Sequence, residues 1–143
     1  MTYQTSYRTR PFRASLPGQV TFAYFAAAFF TLTLFTDWAY IQTLLLMWQD
    51  FGSWLLFAGM ISGGLSVLLW LIGLVVYRQS QNWGEVLLNA VILVLAFVNN
   101  LVHAGDGWTA IMPWGIGLSL LTVVLMVVSG TLRRLAFHPM LRA

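Results

Sequence analysis

Few residues in this chain can do chemistry. The 143 residues hold two histidines, His103 and His138, four acids, Asp37, Asp50, Glu85 and Asp106, seven arginines and neither cysteine nor lysine. Without cysteine there is no thiolate metal site, iron–sulfur cluster or thiol nucleophile. Without lysine there is no Schiff base and no Walker-type phosphate loop. The spacing that stands out is His103-Ala-Gly-Asp106-Gly. A carboxylate three residues from an imidazole can take up or release a proton, or form part of a quinone site, so His103 and Asp106 are the candidate cofactor-binding residues. The competing role for Asp106 is structural, accepting backbone N–H bonds in the Gly-Asp-Gly turn. A haem b held within one chain needs two histidines facing each other. A haem shared by two copies of His103 at a dimer axis is the other way to build that site. No paired carboxylates and no Ser-His-Asp arrangement are visible in the spacing, and none of the candidates points to an enzyme. The expected cofactor is therefore none, with haem b or quinone as the alternative.

The elements that carry these residues are apolar. Of all residues 59% are hydrophobic and 8% charged, and the mean hydropathy is +0.80. A soluble domain has about a quarter of its residues charged, so lipid is the solvent this chain suits. The net charge of +3 reflects arginines flanking apolar runs, which is a membrane-orientation pattern rather than a nucleic-acid surface.

Hydropathy and punctuation divide the chain into an arm at 1–17, a transmembrane domain at 18–137 and a tail at 138–143. The spans fall at about 18–41, 54–77, 83–103 and 113–137, each long enough to cross hydrocarbon. The first run is too long for a signal-peptide core and no small-x-small site follows it, so it reads as a retained span. Between the first two spans, Ile41, Leu44, Leu45 and Trp48 form a short apolar stripe. It predicts an interfacial helix at 41–50, with Gln49, Asp50, Gly52 and Ser53 turning the chain. Pro113 suits the first turn of the fourth span. Asp37, between belt residues Trp38 and Tyr40, reads as an interfacial carboxylate or an N–H acceptor for a neighbouring helix. A proton relay there would need a second titratable group nearby.

Within the third span Asn89, Leu93, Ala96, Asn100 and His103 share one face. Amides in hydrocarbon need partners, so Asn89, Asn99 and Asn100 are expected to bond across helices. Their natural receiver is the weakly polar stripe Gly115, Ser119, Thr122, Met126 and Ser129 of the fourth span. Gly59 and Gly63 form a GxxxG pair, expected to bring another helix of the same chain close, with a dimer face as the alternative.

With four spans, all seven arginines lie on one side and Asp37, Asp50 and Asp106 on the other. The positive-inside rule then puts both termini in the cytoplasm. On that topology His103 and His138 are about 30 Å apart, the hydrocarbon thickness, and cannot share one iron within a chain. No ionisable residue falls in mid-span, which speaks against a transport pathway.

Several short pieces occur in an order that resembles a known family. They are Thr36-Asp37-Trp38-Ala39-Tyr40, Ser53-Trp54-Leu55 with Gly59, Gly73-Leu74, Asn89 with Asn99, Gly115 to Ser119, and Ser129-Gly130. The chain resembles the small bacterial four-span membrane domain DUF2231, of unknown function, over about 18–130. The resemblance implies an all-α, antiparallel four-helix bundle in the inner membrane. Links of some relatives to Rieske or cytochrome modules imply a setting in membrane redox chemistry. Departures accompany it. Leu16-Pro17-Gly18 replaces a His-Pro pair, Val75-Val76 an acid, and Leu132-Arg133-Arg134 a Gly-Gly-Glu end. Gln81, Trp83 and Glu85 stand where a histidine is common. The chain therefore reads as a divergent, non-catalytic member: an accessory or structural subunit of an inner-membrane electron-transfer complex. Its expected partners are lipid and other membrane subunits, or copies of itself. The alternative is a small redox protein that binds haem b or quinone.

Overall fold

The computed structural model describes residues 16–77, 81–105 and 111–137, with side chains as far as 134. Four helices follow one another: α1 Gln19–Thr43, α2 Leu46–Tyr77, α3 Trp83–His103 and α4 Ile116–Phe137. All four apolar segments are long enough to cross a membrane. At 1.5 Å per residue, the 32 residues of α2 extend for about 48 Å.

The helices alternate in direction, and their contacts record it. Gly52 of α2 stands against Asp37 of α1, Gly59 against Phe30, and Gly63 against Ala26. Farther along, Ser66 Oγ donates to the Gln19 carbonyl at 2.9 Å. As α2 advances, α1 recedes. The pairs Asn99–Ser119 and Glu85–Arg133 give the same antiparallel relation for α3 and α4.

The burial pattern inverts that of a water-soluble bundle. On α1 the inward positions are Ala26, Phe30, Thr33, Thr36, Asp37 and Tyr40, while Phe25, Leu32, Phe35 and Trp38 face outward. Large apolar side chains outside and polar ones inside suit a hydrocarbon solvent, where a polar group must find its partner within the protein. The apolar core is small: Ala26, Phe30, Leu56 and Ala96, flanked by Met60, Leu93 and Met126. Close approach of α2 to α1 and to α3 there depends on glycine. A Cβ on Gly59 would stand 2.5 Å from the Phe30 ring, and one on Gly63 would stand 2.7 Å from Leu93.

The largest departure from the sequence reading is the α1–α2 turn. No separate interfacial helix occupies 41–50, and Gln49 to Ser53 do not turn the chain. It reverses at Leu44, whose φ is 53° and whose N–H donates to the Tyr40 carbonyl at 2.7 Å. α2 then runs unbroken from Leu46, eight residues ahead of the expected start at 54. The cause is the spacing of Gln49, Gly52, Leu56 and Gly59, which puts all four on the buried face of α2. Their polarity and small size serve helix packing, not a turn. α3 has the bounds read from sequence. Before α4 the chain makes a wide turn over Ile111–Gly115, with Met112 extended and a cis Met112–Pro113 bond. Pro113 therefore precedes α4 rather than occupying its first turn.

Candidate functional site

The alternating directions bring the C-terminal ends of α1 and α3 together with the N-terminal ends of α2 and α4. Four buried polar side chains meet there: Asp37 from α1, Asn99 and His103 from α3, and Ser119 from α4. None is more than 2% exposed. Asp37 lies six residues before the end of α1, about 9 Å along the helix.

Their hydrogen bonds close on themselves. Asn99 Nδ2 donates to Ser119 Oγ at 2.7 Å. Ser119 Oγ donates in turn to Asp37 Oδ2 at 2.5 Å. Asp37 Oδ1 lies 2.8 Å from His103 Nε2, and His103 Nδ1 lies 3.1 Å from the Asn99 carbonyl oxygen. The ring begins on the side chain of Asn99 and ends on its backbone. In a dry interior such closed chains polarise one another and each bond strengthens the next.

α2 contributes absence rather than a bond. A Cβ on Gly52 would sit 3.1 Å from Thr36 Oγ1, 3.4 Å from Asp37 Oδ1 and 3.6 Å from His103 Cδ2. The glycine lets α2 cover the Asp37–His103 contact. Thr36 Oγ1 is already committed to the Thr33 carbonyl at 2.8 Å. One turn before Gly52, Gln49 is buried and its Oε1 has no partner among the described residues; Trp48 Nε1 and Asn99 Oδ1 are in the same position.

The hydrogen bonds also count protons. A backbone carbonyl can only accept, so His103 Nδ1 carries a hydrogen. Between Nε2 and Asp37 Oδ1 one hydrogen must lie, on one atom or the other. This tautomer follows from the acceptor that Nδ1 faces.

Serine, histidine and aspartate do meet here, which the spacing did not reveal. Their connectivity is not that of a hydrolase. Ser119 is bonded to the carboxylate, not to the imidazole, so the histidine is not placed to take its proton as in a Ser-His-Asp triad. Nor does His103 fit a haem ligand. Both ring nitrogens are engaged inside the chain and its side chain is fully buried.

The expected site residues fall as follows. His103 pairs with Asp37; Asp106, its expected partner, lies outside the described residues, as does His138. Asp37 is 0% exposed and faces neighbouring helices, bonded to His103 of α3 and Ser119 of α4. The inward amide of α3 is Asn99, with Ile92, Ala96 and His103; Asn89 and Asn100 are half-buried at its flanks. Choosing Asn100 over Asn99 misplaces the face by one residue, about 100° of rotation. Ser119 receives Asn99 across the helix pair. Thr122 is buried on the same face but donates to its own helix, to the Leu118 carbonyl at 2.7 Å, so its hydroxyl makes a local bond. Gly59 and Gly63 pack α2 against α1 and α3 of the same chain.

One signal for the missed pair was present. Asp37 stands at steps of seven and four from Phe30 and Thr33, on a face whose outward neighbours are Leu32, Phe35 and Trp38. An acid on the small, polar side of an otherwise apolar helix faces protein, not lipid. Among the described residues no cluster of three or more His, Cys, Asp or Glu could hold a metal ion.

No curated protein and no solved structure matches the chain. The pattern of one family does match, over residues 21–141, well past the 18–130 of the sequence reading. Its description, a predicted membrane protein, agrees with the four apolar helices and their inverted burial: this chain belongs to the DUF2231 family.

Proposed function

We propose that this protein is a non-enzymatic accessory or structural subunit of a bacterial inner-membrane assembly. The observation that carries this reading is the closed ring. Every atom of Asp37 and His103 able to act on a ligand is already bonded to another helix of the same chain or to its own backbone. The groups with chemical potential serve to join α1, α3 and α4, and the outward surface is apolar. Both termini belong in the cytoplasm, because the arginines cluster at the ends of the chain and after α2, whereas Asp37 and Asp50 lie at the opposite end of the bundle. The assembly that the family resemblance points to is an electron-transfer complex.

The test is isolation of the tagged chain from its native membrane in mild detergent, followed by sizing and a visible spectrum. The expected result is co-migration with larger membrane proteins and, once the chain is stripped from them, no Soret band. A Soret band lost in His103→Ala overturns the reading in favour of a haem protein, and a colourless particle of one chain alone overturns the assignment as a subunit.

A further inference from the structure

The helices do not end level. Gly52 of α2 stands against Asp37 of α1 and against His103, the last residue of α3. From that level α1 runs on for six residues to Thr43, and α2 begins six residues earlier, at Leu46. At 1.5 Å per residue, the α1–α2 turn overhangs the end of α3 by about 9 Å.

The overhang lies beyond the hydrocarbon. α3, with 21 residues, is about 30 Å long, the thickness of the apolar layer. Exposed Trp83 opens α3 at one end; at the other, exposed Trp38 and Trp54 lie within two residues of Asp37 and Gly52. Tryptophans at two levels one hydrocarbon thickness apart are belt residues. Asp50, also exposed, fits the same boundary, because an ionised side chain is costly inside it. The headgroup layer adds about 5–8 Å on each side, so the turn reaches its outer edge.

Past that level the chain stays apolar. Leu44, Leu45, Leu46 and Met47 follow one another, each 42–59% exposed, with exposed Gln42, Thr43 and Asp50 at their margin. Lipid tails do not extend there, and an apolar centre within a polar rim is the anatomy of a protein–protein contact. Leu44 points the same way. Its left-handed φ of 53° suits glycine or asparagine, and a leucine adopts it at a cost to the fold. Backbone strain of that kind marks a position that serves more than the turn.

We propose that the α1–α2 turn docks another protein, one that presents an apolar patch with a lysine or arginine at its edge; this assignment rests on the chain being a subunit. Charge selects the partner. The chain has no lysine, and its seven arginines precede α1, follow α2 or fall in and after the last turns of α4. This end of the bundle therefore has acids and no base. A second copy in the same membrane orientation would bring Asp50 against Asp50, and like charges set against each other in an interface are costly. A different protein with a cation there matches both the apolar centre and the acid beside it.

The test places a photo-crosslinking benzophenone at Leu45 of the full chain in its native membrane, with and without Asp50→Arg, and identifies adducts by mass spectrometry. The expected adduct is to a peptide of a different membrane protein, and Asp50→Arg should reduce its yield by about tenfold or more. No protein adduct, an adduct to a second copy, or a yield unchanged by Asp50→Arg overturns the proposal. A second measurement needs no crosslinker. Leu44→Gly with Leu45→Ser changes only exposed side chains and suits the left-handed backbone, so the isolated chain should melt no lower than wild type. Its fraction co-migrating with larger membrane proteins should nonetheless fall by about tenfold. A variant that stays assembled as well as wild type overturns this docking surface and leaves the subunit reading standing. A wild-type chain that migrates alone overturns the subunit reading, and this surface with it.

Discussion

The two ends of the bundle each hold one acid beside one basic side chain, and the pairs differ in almost everything else. At one end Asp37 and His103 join α1 to α3, both side chains fully buried, and Ser119 and Asn99 complete their bonding. At the other end Glu85 of α3 pairs with Arg133 of α4, with side-chain exposures of 22% and 53%. The second pair is partly exposed, so its surroundings can screen it. An exposed pair of that kind contributes roughly 0–1 kcal/mol. The first has no solvent to fall back on, so removing one member leaves the other stranded. What separates them is not charge or distance but what replaces the partner when it is gone.

The sharpest way to break this contrast is His103→Ala. It leaves Asp37 Oδ1 facing a cavity in a dry interior and should cost about 3–5 kcal/mol, the usual loss when one member of a buried pair is deleted. A detergent melt should show a large fall in midpoint. The double variant Asp37→Leu with His103→Leu should recover much of that loss, because a buried pair replaced by apolar groups is often nearly neutral. If the single and double variants lose the same amount, stranding is not the cause.

Next in size is Gly59→Ala. The added methyl would meet the Phe30 ring at 2.5 Å, and the overpacking should cost about 1–3 kcal/mol in the same melt. Ser119→Ala is milder. It removes one donor to Asp37 and one acceptor for Asn99, and single interhelical hydrogen bonds in membranes average about 0.6 kcal/mol. A loss well above that average would indicate that the ring acts as a unit. Smallest is Glu85→Gln, with an expected change below about 1 kcal/mol that fades as salt is raised. A change as large as that of His103→Ala would erase the contrast between the ends.

How much of this was legible in the sequence follows the same division. Four helices could be read from hydropathy, because membrane length and composition are local properties. The bounds of α3 and the inward stripe of α4 through Ser119 and Thr122 follow from spacing within one segment. The proximity of Asp37 and His103 does not. It joins residues 66 apart, and it depends on the rotation of α3, where one residue decides between Asn99 and Asn100. Sequence proximity favoured Asp106 as the partner of His103, while the antiparallel packing of the bundle supplied Asp37. The start of α2 was misread for a related reason. Gln49 and Gly52 look like turn residues until a buried polar site exists for them to face.

Because the ring draws on α1, α3 and α4, it also sets an order on biogenesis. Asp37 emerges first, His103 follows 66 residues later and Ser119 after 82. Until His103 is made the carboxylate lacks both of these partners, while the α1–α2 hairpin can already dock through Gly59 and Phe30. α4 thus closes on α1 the ring that α3 begins, and a chain cut short before His103 carries its acid into the bilayer without either partner.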